Sequence, residues 1–261
     1  MRDFLEELDS DKADGDPIRQ AQILSKPQLP KRFYENAAVA NKDGGFAIFL
    51  DNKPVKTPAR NNLVLPNKQL ADIVADEFNR QKQNIDPATM PATRLVNAII
   101  DNVGHNMAAV CDDIVKFAGS DLLFYRADAP KELVERQKVN WDPVLDWVRE
   151  NYGARFILTQ GVMFVEQPNN SIEIIRSQLQ NIKSPYVLAA LHSITTLCGS
   201  VLLALAVWQG HLSLQDGWQL AHLDEDWTIE HWGEDKEAAQ KQNYHKAEYE
   251  AALAILATFD K

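Results

Sequence analysis

One histidine and two carboxylates are spaced as the ligands of a helix-borne metal site would be. His222, Asp226 and Glu230 follow one another at intervals of four residues, so a single helix would align them on one face. Imidazole and carboxylate groups bind transition metals, and such a site would make the chain a metal-dependent helical-bundle enzyme. Bundle sites usually take Glu-x-x-His pairs from two helices, and the sequence contains no such pair. A solvated charged face is therefore the favoured interpretation, with the metal enzyme as the alternative.

The sequence offers little support for nucleophilic or nucleotide chemistry. It contains no phosphate-binding loop of the G-x-x-x-x-G-K-[ST] or G-x-G-x-x-G type and no G-x-S-x-G elbow. Leu197-Cys198-Gly199-Ser200 places a thiol beside a glycine, but the apolar run around it predicts the interior of a packed helix. Cys111 and Cys198 are both expected to be buried free thiols in the core. We therefore expect no enzyme activity, no bound metal and no cofactor.

Acidic and aromatic residues alternate along Leu223–Asp235, which reads LDEDWTIEHWGED. At helical spacing, Glu225 and Ile229 share one side, and Leu223 and Trp227 share another. Tryptophans in such a helix could belong to the core, with the acids merely exposed. They could equally anchor a protein interface that has an acidic rim. Both interpretations stay open at this level.

The elements that would position these residues change character along the chain. Phe33–Leu65 predicts a β-meander, because Asn41–Gly45 (NKDGG) is a strong hairpin signal. Helical periodicity begins at Asn67, and a proline-rich connector occupies Asp86–Pro91. The remaining segments are a helical run over Thr93–Phe117 that Gly104 and Asn106 could break, two helices over Ala129–Tyr152 split at Trp141-Asp142-Pro143, a hairpin over Phe156–Val165, and helices over Ser171–Ile182, Pro185–Trp208, Ser213–Trp232 and Glu234–Phe259.

These segments together predict an α+β protein with a small N-terminal β-rich domain followed by a larger all-helical C-terminal domain. Residues 1–28 are strongly acidic at their start and are expected to form a mobile arm. Residues 29–90 would form the β-rich domain with a covering helix, and residues 91–261 the helical domain. No internal repeat or low-complexity linker marks the boundary, which the sequence places only between Ile85 and Gly119.

Charge and hydropathy bear on location and partners. The net charge of −10 disfavours nucleic acid and anionic membranes as partners. No fixed charge occurs over Tyr186–Trp208, a length that could span a bilayer. Polar residues interrupt this run and no basic anchors flank it, so a buried helix is the better explanation. With neither a secretory signal nor an Arg-rich presequence at the N-terminus, we expect a cytoplasmic bacterial protein, or a processed mitochondrial matrix form.

Several short motifs, in order, resemble those of one known family. They are Arg32-Phe33-Tyr34, Leu50-Asp51-Asn52-Lys53, Lys56-Thr57-Pro58, Ala75-Asp76-Glu77-Phe78 with Gln81, Tyr125-Arg126 with Pro130 and Leu133, Gln137 with Trp141-Asp142-Pro143 and Trp147, and Leu223-Asp224-Glu225-Asp226-Trp227 with Ile229 and Trp232-Gly233. Together they resemble the ATP12 family of assembly chaperones for the F1 part of ATP synthase. Phe78 and Thr228 depart from the pattern, where tryptophan and glutamine are common.

The resemblance implies a function and a site. ATP12 proteins are expected to bind the free α subunit of F1 and to cover the surface that later contacts the β subunit, without hydrolysing nucleotide. The resemblance implies that Glu225 is the key acidic residue of the binding surface, supported by Asp224, Asp226, Trp232 and Gly233. The Trp141-Asp142-Pro143 motif is expected to hold the domain together. The protein is expected to be monomeric when alone.

Overall fold

A computed structural model describes residues 29–161 and 163–259, so the arm predicted over Met1–Gln28 lies outside the described residues. Contacts divide the described chain into two units. The first combines residues 29–33 with Gln81–Asp86. Within it, the backbone N–H of Arg32 donates to the Gln83 carbonyl at 2.9 Å, and that of Ile85 donates to the Pro30 carbonyl at 2.8 Å. The second unit comprises Tyr34–Arg80 and the chain from Pro87 onward. The domain boundary near residue 90 remains a prediction.

The second unit begins with a small antiparallel sheet. Strands β1 (Ala37–Lys42) and β2 (Gly45–Leu50) form the hairpin that the NKDGG motif predicts. Its turn residues Asp43 and Gly44 both have positive φ, at 53° and 79°, which is the conformation that Asp-Gly favours in a two-residue hairpin. β3 (Lys53–Pro54) and β4 (Val64–Leu65) each pair with β2.

The sheet is covered by helix α1 (Lys68–Arg80), whose apolar side is fully buried at Leu70 and Val74. The next helix, α2 (Pro91–Asp101), begins against the buried carboxylate of Glu77. That carboxylate accepts hydrogen bonds from the backbone N–H groups of Ala92 and Thr93 at 2.8 and 2.7 Å. The N-terminal N–H groups of a helix have no partners within it, so Glu77 replaces a local cap and fastens α1 to α2.

The helical region agrees with prediction at its first break and departs from prediction at Pro143. The chain breaks where Gly104 and Asn106 suggested, in a short 3₁₀ turn (Val103–His105) before α3 (Met107–Ala118). The two helices predicted between Ala129 and Tyr152 are wrong, because α4 (Lys131–Tyr152) passes through Pro143 as one helix. Beside the proline, Trp141 is fully buried and its indole N–H donates to the Leu220 carbonyl at 2.9 Å. Tertiary packing here outweighs the local cost of proline.

Six further helices follow in the described part of the chain, and two predicted long helices are each broken in two. The helices are α5 (Asn169–Gln180), α6 (Pro185–Cys198), α7 (Val201–Trp208), α8 (Leu214–Ala221), α9 (Leu223–Trp232) and α10 (Lys236–Leu256). The break between α6 and α7 lies at Gly199, whose φ of 64° ends α6. The break between α8 and α9 lies at His222. The predictions of single helices over Pro185–Trp208 and Ser213–Trp232 are therefore wrong.

The motif around Cys198 consequently lies at a helix end, and its predicted place inside a helix is wrong. Ser200 caps α7 by accepting a hydrogen bond from the Leu203 N–H at 3.0 Å. Cys198 and Cys111 are both buried free thiols, as predicted. Burial raises the pKa of the Cys198 thiol to about 12, so the thiol stays protonated at neutral pH and is a poor nucleophile.

The predicted hairpin over Phe156–Val165 is also wrong. The segment contains one short strand, β6 (Thr159–Gln160), which pairs in parallel with β5 (Tyr125–Arg126) from a distant part of the chain. Parallel pairing requires a long connection, and here α4 supplies it.

The core of the helical region is formed largely by α6 and α7, where α7 is buried from Val201 to Val207. Among the described residues, no helix combines the length and the hydropathy needed to cross a membrane. The architecture is thus α+β, with a small N-terminal sheet region followed by a mostly helical C-terminal region, as predicted.

Candidate functional site

Helix α9 carries the acidic and aromatic residues singled out by the sequence, and Asp224 fastens it to α4. The side-chain amide of Gln137 donates to the Asp224 carboxylate at 2.8 Å, while its own oxygen accepts from the Ala127 N–H at 2.8 Å. Gln137 is buried, and a buried amide needs such partners. Asp224 is thus committed to holding α9 in place.

A second link between α4 and α9 lies at the other end of α9. Arg136 donates to both oxygens of Glu230, at 2.6 and 3.0 Å. This hydrogen bond lowers the pKa of the Glu230 carboxyl and raises that of the Arg136 guanidinium. Arg136 and Gln137, which are adjacent on α4, therefore bind Glu230 and Asp224, which lie almost two turns apart on α9.

Replacing Arg136 with glutamine tests how much this link contributes. The pair lies at the protein surface, so we expect Arg136→Gln to reduce the free energy of unfolding by no more than about 1 kcal/mol. Chemical denaturation measured at low and high salt provides the test, since screening should shrink the difference from the wild type. A salt-independent loss well above this value would show that packing of the arginine stem dominates.

The Trp141-Asp142-Pro143 motif has the structural role that the sequence suggested. The Arg126 guanidinium forms an ion pair with Asp142 at 2.9 Å and lies 5.2 Å from the centre of the Trp141 ring. Burial lowers the pKa of Arg126, and the Asp142 carboxylate opposes that effect. Together these contacts connect β5 to α4.

Glu225 is exposed on α9, at the edge of a groove between α9 and α10. We call this the α9–α10 groove; its volume is about 600 Å³. Its residues are Leu197, His222, Asp224, Glu225, Thr228, Ile229, Gly233, Glu234, Asp235, Ala238, Ala239, Lys241, Gln242 and His245. Four of them are acidic and Lys241 is the one lysine or arginine among them, so the groove has a negative potential.

Asp226 points to a different depression, of about 560 Å³, that also contains Arg136 and Glu230. The proposed metal ligands are thereby divided, because His222 lines the α9–α10 groove while Asp226 and Glu230 line the other. Within the described part of the chain, no group of three or more His, Cys, Asp or Glu residues could hold a metal ion. The geometry gives the metal-enzyme alternative no support.

The aromatic residues of α9 divide between two environments. Trp227 is half-buried and stacks on His231 with 4.0 Å between ring centres, and Ile229 is likewise half-buried. Trp232 is 81% exposed at the last residue of the helix. A tryptophan so exposed contributes almost nothing to the core, whereas it is well suited to anchor an interface.

Gly233 ends α9 and turns the chain toward α10. Its φ and ψ of 87° and 164° are open only to glycine without strain. A Cβ atom there would meet no other atom within 4 Å, so the backbone angle and not the space requires glycine. Gly233 therefore sets the direction in which the chain leaves α9 toward α10.

One exposed apolar patch was not anticipated from the sequence. Ile157, Leu158, Met163 and Phe164 are all exposed on the loop before α5. The base of the loop is held by the buried side chain of Gln167, which exchanges two hydrogen bonds with the backbone of Ile157 at 2.8 and 2.9 Å. The only sign of this patch in the sequence is the absence of charged residues from Phe156 to Val165. The same composition is also typical of a buried hairpin.

Known proteins resemble this chain in both fold and sequence. The chain is 35% identical to Atp12 from Paracoccus denitrificans, with a TM-score of 0.79 over 88% of this chain and 99% of that one. The chain belongs to the ATP12 family. A crystal structure of a candidate chaperone from Agrobacterium tumefaciens is 47% identical, with a TM-score of 0.85 over 100% of this chain and 97% of that one.

Two further comparisons agree with this family. The model of the ATP12 chaperone protein family matches residues 31–149. The mitochondrial atp12 protein of Schizosaccharomyces pombe is 25% identical over 245 residues, which cover 89% of this chain and 84% of that protein. The family model covers the sheet region and the chain as far as Arg149, and the two crystal structures extend the similarity over 88% and 100% of this chain.

Proposed function

We propose that this ATP12-family chain is an assembly chaperone that binds the free α subunit of F1 in ATP synthase. It shields the surface of α that later contacts β, until β replaces it. The activity is binding, with no catalytic step. It would take place where F1 is assembled, which is the bacterial cytoplasm, or the mitochondrial matrix for a processed form.

The proposal is supported by an exposed aromatic and acidic surface on α9, in a chain of the ATP12 chaperone family. Trp232 is 81% exposed, and Glu225 stands exposed on the rim of the neighbouring groove. Two links to α4, from Gln137 and Arg136, hold the helix that carries them. A rigid aromatic anchor beside charged groups is typical of a protein interface. We assign partner binding to Glu225 and Trp232, with Asp224 holding α9 to α4, Gly233 turning the chain into α10 and Asp226 as a neighbouring acid.

Such a face suits a chaperone whose complex must be temporary. An unassembled ring subunit exposes an apolar interface that promotes aggregation. A cover for it must bind tightly enough to prevent self-association, yet give way to the true partner. Rim charges adjust association rates and specificity more than they add affinity, so one tryptophan with an acidic rim meets both requirements.

Purified components test the function directly. We expect the chain to form a complex with isolated F1 α in size-exclusion chromatography and to suppress its aggregation, without ATP. Added F1 β should displace the chain from α. The absence of a complex with α, or equal binding to an unrelated unfolded protein, would contradict the proposal.

Trp232 provides a more local prediction. We expect Trp232→Ala to weaken the complex with F1 α by roughly tenfold to thirtyfold, the loss typical of an interface anchor. The melting temperature should stay nearly unchanged because the side chain is exposed in the free protein. Isothermal titration calorimetry measures both the affinity and the apolar area buried on binding, through the heat-capacity change.

A matched control for this variant is Leu214→Ala on α8, which also removes an exposed apolar side chain. It lies outside the α9–α10 groove and should leave the affinity for α unchanged. Equal losses from both variants would mean that binding depends on general surface hydrophobicity and not on α9.

A further inference from the structure

Strand β1 lies at an edge of its sheet, and its outer side is only partly occupied. Its inner side pairs with β2 without a bulge, from Ala37 opposite Leu50 to Lys42 opposite Gly45. The two-residue turn makes Lys42 and Gly45 a hydrogen-bonded pair, and such pairs alternate along an antiparallel ladder. Every second residue of β1 therefore directs its backbone N–H and C=O groups away from β2. These residues are Ala37, Val39 and Asn41.

Two sets of contacts agree with this alternation. The backbone N–H of Asp51 donates to the Asn36 carbonyl at 2.8 Å, so a hydrogen-bonded pair lies one residue before Ala37. On the outer side, the side-chain amide of Asn79 from α1 binds Ala37 as a neighbouring strand would. It accepts from the Ala37 N–H at 2.8 Å and donates to the Ala37 carbonyl at 2.9 Å. The outer edge is thus closed at Ala37.

Beyond Ala37, the outward backbone groups of Val39 and Asn41 have no partner among the described residues. Proteins usually protect an open edge with a proline, a bulge or charged side chains. β1 reads AAVANK, with no proline and with its one charge at the last residue. Ala38 and Ala40 are small and exposed, so they leave room for a neighbouring strand. Four backbone groups at this spacing match those of another extended chain.

A second copy of this chain is a poor candidate for that strand. Asn79 closes the edge at Ala37 and the hairpin turn follows Lys42, so two copies could pair only through the few residues between. A stable interface buries about 1,200 Å² or more, which so short a ladder cannot supply by itself. Each copy also has a net charge of −10, so two copies repel each other. The occupant must therefore contact the protein elsewhere as well.

We propose that the outer edge of β1 binds an extended segment of the client subunit as an additional β-strand, hydrogen-bonded to Val39 and Asn41. This inference rests on the proposed function for the identity of the client, whose contact with α9 supplies further interface area. Main-chain hydrogen bonds of this kind provide affinity, and side chains at alternate positions provide specificity.

Lys42 defines one side chain of the client strand. Its Nζ lies 5.9 Å from the centre of the Phe49 ring, and it forms no ion pair with any described residue. Opposite charges on neighbouring strands stabilise a sheet, whereas like charges destabilise it. The segment that fits this edge therefore carries a carboxylate beside Lys42.

Reversing the charge of Lys42 tests this composition. We expect Lys42→Glu to weaken binding of F1 α about threefold to fivefold, the effect of a charge pair near the surface. The loss should shrink at high salt, because screening weakens the repulsion. Unchanged or tighter binding would contradict a carboxylate beside Lys42.

Asn41 allows one outward N–H to be removed without breaking the β1–β2 ladder. Asn41→Pro deletes this donor, and proline is tolerated on an edge strand where the missing N–H faces solvent. Asn41→Thr is the matched control, because it also loses the amide side chain but keeps the backbone N–H. We expect Asn41→Pro to weaken the complex with F1 α about fivefold to tenfold, and Asn41→Thr to bind as the wild type does. Equal affinities at similar melting temperatures would contradict the proposal.

Hydrogen–deuterium exchange at single-residue resolution tests the edge in the wild-type chain, without any substitution. In the free protein, the amides of Val39 and Asn41 should exchange fast, whereas that of Ala40, which lies within the ladder, should exchange slowly. In the complex with F1 α, the amides of all three residues should exchange slowly.

The possible outcomes of this experiment distinguish the two proposals. A complex with F1 α in which Val39 and Asn41 still exchange fast would overturn the edge proposal alone. Failure to form any complex would overturn the proposed function together with it. Slow exchange in the free chain that depends on its concentration would identify a second copy as the occupant. Slow exchange at every concentration would mean that another segment of this chain covers the edge, and either result contradicts a client strand.

Discussion

Replacing Glu225 with lysine should abolish stable binding of F1 α while leaving the fold intact. We expect the dissociation constant to rise at least about a hundredfold, which corresponds to about 3 kcal/mol. The change removes an available carboxylate and places a second cation in a groove that already contains Lys241. Surface plasmon resonance at two salt concentrations should show a smaller defect at high salt, because screening weakens the repulsion.

The stability of this variant should barely change. Glu225 is exposed and lies in the first turn of α9, where a carboxylate stabilises the helix by about 0.3–1 kcal/mol. Losing it should lower the melting temperature by only a few degrees in a chain of this length. A collapse of the melting transition would instead show that Glu225 supports the fold.

A charge-matched control separates the site from the net charge. Glu150→Lys makes the same change at an exposed position near the C-terminal end of α4. There a cation is favoured by the helix dipole, and the residue is not part of the α9–α10 groove. This variant should bind F1 α with wild-type affinity. If it binds as poorly as Glu225→Lys, binding responds to overall charge alone.

The sequence predicted the element types well wherever local signals and tertiary packing agreed. The hairpin at Asp43-Gly44 formed as expected because its turn residues favour the required positive φ. At Pro143 the local signal pointed to a helix start, yet α4 continues because buried Trp141 is fixed from outside the helix. No local rule contains the Leu220 carbonyl that accepts this hydrogen bond.

The helix breaks at Gly199 and His222 could not be read from periodicity for a related reason. The residues around each break are apolar or helix-compatible, so the hydrophobic pattern continues across it. At Gly199 the backbone turns, and its carbonyl accepts from the Leu122 N–H at 3.0 Å. That contact joins positions far apart in sequence, and only the folded chain shows it.

The sequence singled out the residues of the candidate site, but it did not predict which of them are exposed and which hold the helix in place. The acids and tryptophans of α9 were identified as a group, and the structure shows Trp232 exposed while Asp224 is held by Gln137. The wall formed by α10 was missed, because Lys241 and His245 lie in an ordinary charged helix pattern. Which side of α9 meets that wall depends on the helix break at His222, which periodicity did not predict.

Loss of Asp121 should destabilise the protein strongly. Its fully buried carboxylate accepts from the backbone N–H groups of Leu123 and Leu202, each at 3.1 Å, and from the hydroxyl of Ser200. It thereby joins the 3₁₀ turn Leu122–Phe124 to the first turn of α7, across the break at Gly199. Asp121→Ala would leave these donors buried and unsatisfied.

We expect Asp121→Ala to lower the free energy of unfolding by at least about 3 kcal/mol. Each unsatisfied buried donor costs about 1–3 kcal/mol, and relief from burying a charge offsets part of the total. Urea denaturation monitored by circular dichroism measures the change. Ser213→Ala removes an exposed helix cap, that of α8, and should cost only about 1 kcal/mol. A loss at Asp121 no larger than at Ser213 would show that water satisfies the donors.

The charge of Asp121 also gives stability a defined pH dependence. Burial raises the pKa of this carboxyl to about 6, above its ordinary value of 3.8. The folded state therefore binds the proton more tightly than the unfolded state, so this group stabilises the fold most below about pH 4. That contribution, about 3 kcal/mol, is lost as the pH rises from about 4 to 6. The difference in unfolding free energy between the wild type and Asp121→Asn should fall over this interval and stay constant above it; a difference that instead grows with pH would mean that the hydrogen bonds hold the carboxylate ionised and outweigh the effect of burial.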